Sequence, residues 1–461
     1  MKKRILTLVA VLLASAAAAQ NTTAYFMEGT TFRSQLNPAF APLQGYVNIP
    51  VLGGVSVNMN GNLSLDRILY PVNGSLVTLL DGAVPAETAL DGLHSRNLLG
   101  LDTRVNLIGF GSFTRNHRNF WSFDLNLRVM TETHLPYELF DFLKRGQSTT
   151  IRDIGVYAES FIEAGFNYSM PITDKLYVGA RAKFLVGAGR AHLNIDRFDV
   201  SLNEDSWTAD ASGRIDVTAA GLDFETTPTS DGRETFQLDD ADYSFKGPAG
   251  YGFALDLGAT YQVLPDLQVS LAVNDLGFIC WSKSDTRTGV MNKDLNFEGG
   301  VVIGGPDAPE ADFDLGEFEF ETAAAPATTK MLRATINAGV EYDLLRHKLG
   351  LGLLYNVRLW KYKALHNLMA SVNYRPIRWF TLTGSYSFVE NRAHAVGFAL
   401  NCCPSWINFY LATDILVGKH TPQFLPVKQN SINLTLGLGI PIGPRSKRVA
   451  AYTPGGNVNY R

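Results

Sequence analysis

Cysteine is scarce in this chain. Only Cys280, Cys402 and Cys403 occur, and two of them are adjacent. At most one ordinary bridge is possible, so the fold is not a disulfide scaffold and must rest on backbone hydrogen bonds and packing. Beyond the first twenty residues no apolar run reaches eighteen, which excludes a membrane-spanning helix. An excess of positive charge is also missing. The formal net charge is −4 and no basic cluster stands out, so no nucleic-acid partner is expected. The eight histidines are scattered without metal-ligand spacing. There is no GxSxG elbow and no glycine-rich phosphate loop. These absences argue against an enzyme, and no cofactor or metal is expected.

What is present begins with an export signal. Lys2, Lys3 and Arg4 precede an apolar stretch from Ile5 to Leu13, and Ala17-Ala18-Ala19 supplies small residues for cleavage before Gln20. Residues 1–19 are therefore read as a signal peptide. No cysteine follows the cut, so a lipid anchor is not expected.

The dominant pattern beyond it has a period of two. In 120–130, Trp121, Phe123, Leu125, Leu127 and Val129 alternate with Ser122, Asp124, Asn126 and Arg128. In 431–440, Ile432, Leu434, Leu436, Leu438 and Ile440 alternate with Ser431, Asn433, Thr435, Gly437 and Gly439. Similar alternation places Leu332, Ile336, Val340 and Tyr342 opposite Arg333, Asn337 and Glu341. Such strands have one apolar and one polar face. About fourteen segments of this kind occur, most of them about ten to thirteen residues long, against five or six for a soluble sheet and nine to eleven for a tilted membrane strand. The apolar faces carry no charge. A soluble sandwich core would share that property, but it would not need so many long strands.

The connections alternate in length. Short turns fall at 171–175, 264–266, 344–348, 375–378 and 402–405, and long pieces at 61–98, 134–152, 189–247, 284–329 and 416–429. Aromatics cluster near strand ends, among them Tyr355, Tyr374, Trp379, Trp406 and Tyr410. Mean hydropathy close to zero is what alternating faces give. The fold expected is an all-β, antiparallel transmembrane barrel of about fourteen strands over 45–442. In hydrocarbon every backbone polar group must be paired, so such a sheet closes on itself. Fourteen strands enclose a lumen too wide for wall side chains to fill, so something must line or plug it.

Residues 20–44 are not strand-like. At their centre stands Ser34-Gln35-Leu36-Asn37-Pro38-Ala39-Phe40. Pro38 fixes its own φ and biases Asn37 away from helix, Ala39 permits close packing, and Phe40 can anchor on an apolar wall. That suits a compact plug; an ordinary turn into the first strand is the plainer alternative. A signal peptide, this Asn-Pro-Ala-Phe stretch and about fourteen barrel strands together resemble the FadL-like long-chain fatty-acid transporters of the outer membrane. They also resemble the related barrel that carries cargo in type IX secretion. More narrowly, the chain looks like a branch of that superfamily known only as a domain of unknown function. The resemblance implies that Asn37, Pro38, Ala39 and Phe40 form a hatch motif in the lumen. It also implies a Gram-negative outer membrane, surrounding lipids, and transport of a hydrophobic small molecule such as a fatty acid. The alternative is a non-transporting barrel acting as scaffold or shuttle, with secretion or periplasmic proteins as partners. One departure is the end of the chain, where 443–461 continue as a tail read as periplasmic.

Other features are weaker. The acidic run 307–321 has oxygens for Ca²⁺ but no known calcium-loop spacing, and a solvated hairpin edge is the alternative. Amphipathic stretches at 63–93, including Leu79, and at 136–144 suit either a greasy access site for a lipid or a cap packed on itself. Cys402 and Cys403 lack CxxC spacing and read as structural. Inward charges, including Arg128, Glu159, Glu163, Arg181, Lys183, Asp256, Arg333 and Glu341, read as lumen packing.

Overall fold

Period-two alternation dictates strands whose polar residues share one face, and the fold puts that face inside. The computed structural model describes residues 22–446 except 62, 64–66, 68, 73–74, 80, 203–205, 230–231, 299–318, 327, 360–363, 390–392 and 417–430. Fourteen antiparallel wall strands close into a barrel. They are β1 (Gln44–Asn48 continued by Val55–Gly61), β2 (Arg96–Phe113), β3 (Phe120–Pro136), β4 (Thr149–Pro171) and β5 (Leu176–Leu202). Next come β6 (Gly250–Leu264), β7 (Leu267–Trp281), β8 (Thr328–Met331 continued by Thr335–Leu344), β9 (Leu349–Leu359) and β10 (Ala364–Ile377). The wall ends with β11 (Phe380–Val389), β12 (Ala393–Cys402), β13 (Asn408–Leu416) and β14 (Ser431–Arg445). Each strand pairs with the next, and β1 pairs with both β2 and β14, which closes the ring.

The inside-out arrangement is explicit on β3, where Ser122, Asp124, Asn126 and Arg128 are buried while Val129 is exposed. Outward apolar side chains such as Phe166, Phe184, Phe253, Leu271, Leu353 and Phe398 are about half exposed around the wall. A soluble protein rarely exposes a continuous apolar belt of this kind. On β6 the belt is bracketed by exposed Tyr251 and Tyr261. Ten residues at about 3.4 Å, tilted by about 45°, span about 24 Å, close to the apolar band of a membrane barrel. Tyr168, Tyr342, Tyr374, Trp379 and Trp406 mark the same level near the short-turn rim, all exposed. Among the described residues no helix is long and apolar enough to cross a membrane.

Four readings change. Tyr410 is fully buried and points into the lumen, because it shares parity with inward Asn408 and Asp414. Leu332 also lies inside, where β8 is interrupted between Met331 and Thr335. The described residues of 134–152, 189–247 and 284–329 are not loops for the most part. β3, β4 and β5 run on beyond the membrane, and strands Ser206–Thr218, Leu222–Pro228, Glu234–Tyr243, Thr286–Glu298 and Phe320–Ala323 join them in one sheet. This lobe has its own core of Phe142, Ile195, Phe198, Phe224, Phe236 and Phe320. Finally, β14 continues to Arg445, three residues into the range read as tail.

Among the described residues the α-helices are few and short: α1 (Arg33–Leu36) before the wall, and α2 (Ala86–Leu90) and α3 (Tyr137–Arg145) at the long-loop rim. Leu79, Val84, Leu90 and Phe140 pack together, so the amphipathic stretches form a cap packed on itself. No disulfide joins the three cysteines, and Cys403 is buried. The signal peptide, most of the acidic run and the tail beyond 446 lie outside the described residues, though Glu321 pairs with Arg233.

Candidate functional site in the barrel lumen

The inward face of the wall is rich in asparagine, and these side chains meet a segment with no strand partner of its own. Residues 22–43 lie inside the barrel near the short-turn rim, nearly all of them buried. They form a short 3-10 turn at Thr22–Ala24, α1, and the Asn-Pro-Ala knot. The segment has a small apolar core of Tyr25, Phe26, Leu36 and Phe40, which packs on Leu354 and Met369 of the wall. Tyr25 stacks edge-on against Phe26 and Phe40, with ring centroids 5.0 and 5.1 Å apart. The Arg33 guanidinium lies 4.2 Å over the Phe40 ring.

Polar contacts then tie the segment to most of the ring. Thr23 bonds Asp414 on β13 and, at 2.6 Å, Ser385 on β11. Tyr25 Oη meets Ser270 at 3.1 Å. Asn274 and Asn337 both donate to the Leu36 carbonyl, at 2.9 and 3.1 Å, and Asn408 donates to the Gly29 carbonyl at 2.7 Å. Arg104 donates to Gln35 at 3.0 Å. A segment outside the sheet has backbone groups that must find partners, and inward asparagines provide them.

The knot is seated most tightly. Asn37 Oδ1 accepts from the Ala39 amide at 2.9 Å, an Asx turn that makes the bend at Pro38. Asn37 Nδ2 donates to the carbonyls of Leu271 at 3.3 Å and Ala259 at 3.5 Å. Asn167 donates to the Pro38 carbonyl at 3.4 Å. Gly179 on β5 and Gly258 on β6 sit directly opposite each other in the ladder and leave the notch that holds the knot. A Cβ at Gly179 would lie 2.1 Å from the Pro38 oxygen, and one at Gly258 2.1 Å from Asn37 Oδ1. Thus Asn37, Pro38, Ala39 and Phe40 are brought together against the wall. Sequence reasoning did not single out the two glycines or the asparagines. Their only signal was their place on the polar face of their strands.

Above the segment, toward the long-loop rim, the lumen is filled in layers. Lys183 meets Asp256 at 2.7 Å and Asp275 at 2.6 Å, Arg128 meets Asp275 at 3.0 Å and Glu163 at 3.2 Å, and Arg181 meets Asp124 at 2.9 Å. One inward position higher on the strands comes an apolar layer with Met130, Phe161, Leu185, Ile279 and Trp281. Higher still, Glu132 pairs with Arg333 at 2.7 Å, and Arg333 lies over the Tyr157 ring.

The wall itself is interrupted beside the segment. Between the two halves of β1, residues 49–54 leave the ladder, with Val51 in the left-handed region at φ 67°. On β14, Asn48 faces Gly439 and Val55 faces Leu436, so six residues oppose two. The excursion carries Val51 and Leu52 outward, both about half exposed, and turns Gly53 inward. Backbone bonds hold it shut, from Val51 to the Asn106 carbonyl at 3.0 Å and from Leu438 to the Leu52 carbonyl at 2.8 Å. Directly behind it is a cavity of about 30 Å³, lined by Phe32, Gln35 and Leu36 of the segment and by Asn48, Asn106 and Tyr410 of the wall. That is room for about two waters. Asn48 donates to Asn106 and Asn106 to Asn126, each at 2.9 Å, and Asn126 donates to Glu163 at 3.3 Å. This chain links the excursion to the charged layer. Among the described residues no group of side chains could hold a metal ion.

Comparison with known proteins gives the following. The family model described as a family of unknown function, DUF5723, matches residues 38–414. No curated protein matches the chain. Among solved structures, the Pseudomonas putida toluene transporter TodX is 10% identical with a TM-score of 0.40, over 92% of this chain and 95% of that one. A Pseudomonas aeruginosa FadL homologue is 11% identical with a TM-score of 0.43, over 92% and 99%. The translocator domain of the Neisseria meningitidis autotransporter NalP is 7% identical with a TM-score of 0.34, over 87% and 90%.

Proposed function

The chain belongs to the DUF5723 family, and we propose that it is an outer-membrane barrel that binds a hydrophobic small molecule, such as a fatty acid, and releases it past a movable hatch. The hatch is residues 22–43, with Asn37, Pro38, Ala39 and Phe40 as the seated motif. The observation that carries this reading is a lumen filled by a segment that has no strand pairing to the wall and leans on it through side chains. Such contacts are individually modest, about 0.5–1.5 kcal/mol each, so the segment can shift without breaking the barrel. Its shift would enlarge the cavity lined by Phe32 and Leu36, behind an excursion whose Val51 and Leu52 face lipid. An amphiphile would leave sideways into the bilayer there. The short-turn rim is the periplasmic one in this reading, and the lobe and cap face outward.

The test is mass spectrometry of lipids extracted from protein purified in mild detergent, against a control barrel of similar size. Enrichment of one amphiphile class is the expected result. Deleting 22–43 should raise bilayer current and ligand flux, and unchanged values would sink the hatch.

A second reading has its own observation. Charged and apolar layers cross the lumen above the segment, and the outward lobe has a core of its own. A scaffold or secretion shuttle would look like this. Stable co-purification of a protein, with no enriched lipid, would favour it.

A further inference from the structure

The turn between β8 and β9 has an unusual backbone. Leu345, Arg346 and His347 all lie in the left-handed region, at φ 52°, 56° and 69°. None is glycine, and each such residue costs about 1–2 kcal/mol. Consecutive residues of this kind persist only where the surroundings hold them. What holds this turn is His347. Its Nε2 lies 3.0 Å from Glu28 Oε2 in the lumen segment, and its Nδ1 lies 2.6 Å from Asp343 Oδ2 on β8.

Both ring nitrogens therefore face carboxylate oxygens. A neutral imidazole has one N–H and would turn a lone pair on one of them, whereas an imidazolium donates to both. The rest of the cluster agrees in charge. Arg375 donates to Asp343 at 3.0 Å, pairs with Glu341, and donates to the Phe26 carbonyl of the segment at 3.3 Å. The Arg33 guanidinium also acts on Glu28 and Glu341 through space.

We propose that His347 is the catch of the hatch: a cation presented by a strained turn at the short-turn rim, clamped between Glu28 of the segment and Asp343 of the wall, which keeps the lumen closed until that contact is released. The proposal rests on the hatch reading. It adds that closure is governed from the rim, by the contact of His347 with Glu28, and not only by the notch at Gly179 and Gly258. The exposed Leu345 and Arg346 flank the catch, so anything that reshapes this turn moves His347 away from Glu28.

The experiment is hydrogen–deuterium exchange on the full chain in detergent, with bilayer current as the second readout. Glu28→Gln and His347→Gln should each raise exchange over 22–43 by about tenfold or more, since one partner of a part-buried pair is left alone. Wall strands should stay protected. The double variant should be no worse than either single one, and His347→Lys, which keeps the cation, should stay closer to the parent than His347→Gln. Unchanged exchange in both single variants overturns the catch. Should His347→Gln fail to fold, Glu28→Gln decides alone, because Glu28 is not part of the wall. Deleting 22–43 separates the two readings. If deletion opens the pore but the variants stay protected, the catch falls and the hatch stands. If deletion leaves the current unchanged, the hatch falls, and exchange still decides whether His347 holds the segment.

Discussion

At the scale of single residues, the lumen segment is held by two anchors of different chemistry. The first is steric. A methyl at Gly179 or Gly258 must push the knot by a large fraction of an ångström, whereas one at Gly384 meets nothing within 4 Å. Gly179→Ala and Gly258→Ala should each destabilise the seated segment by about 1–3 kcal/mol and speed its proteolysis, with Gly384→Ala as the silent control. Equal behaviour of all three would show that the notch does not matter. The second anchor is electrostatic. Burial alone would raise the Glu28 carboxyl, but the His347 and Arg375 charges overcome it and hold Glu28 well below the usual carboxylate range. The Glu28 carboxylate, against the cost of burial and with the Asp343 bond, lifts His347 to about 10. A raised histidine stabilises fully below its free value of about 6.5, and that contribution drains away as pH climbs through 10. The depressed Glu28 contributes fully above its free value of about 4.5, and that contribution drains away as pH falls below it. Protection of 22–43 should therefore peak between about pH 4.5 and 6.5, decline above that and be lost past 10. His347→Gln should flatten the alkaline limb. A wild-type profile already flat to pH 10 would contradict this.

At the scale of elements, the wall was legible in the sequence and the break in it was not. Alternation assigns both the strand and its inward face, which is why Asp124, Arg128, Lys183 and Asp256 lie in the lumen as the pattern demands. Alternation says nothing of which distant strands will pair. For that reason Ser206–Thr218 and Thr286–Glu298, far apart in the chain but adjacent in the lobe, read as loops. It also cannot show why Asn-Ile-Pro-Val-Leu-Gly-Gly at 48–54 should leave the sheet, since Pro50 and the two glycines are as much at home in a turn. The knot was readable as stiff and small, but its seat was not, because a glycine on a strand carries no side-chain signal. The excursion makes a prediction of its own. Removing four residues from 49–54, so that β1 runs straight, should leave a folded barrel that has lost transfer of ligand to the bilayer. Undiminished transfer by such a barrel would place the exit elsewhere.

At the scale of the molecule, charged side chains inside the barrel pair with one another across strands. Lys183 is shared by Asp256 and Asp275, and both carboxylates are buried. Removing one member of such a pair typically costs about 3–5 kcal/mol because its partners remain buried and charged. Lys183→Met should thus lower the temperature at which the compact form is lost on unboiled gels, while a charge-neutral change at an outward, lipid-facing site should not. Equal melting of both would mean that the layer is not a keystone of the fold.

The ring is closed by its two ends: Tyr46 lies against Pro441, and Asn48 against Gly439. The segment that fills the lumen leads directly into that seam, and its Thr23 reaches Asp414, 391 positions along the chain. Almost the whole polypeptide must therefore be laid down before the seam can zip, and the segment is enclosed at that same moment. It is a ship built inside its bottle, in which cargo and cork are one thread. Errors in the segment should show first as slow or failed biogenesis, before any leak is measurable in the finished barrel.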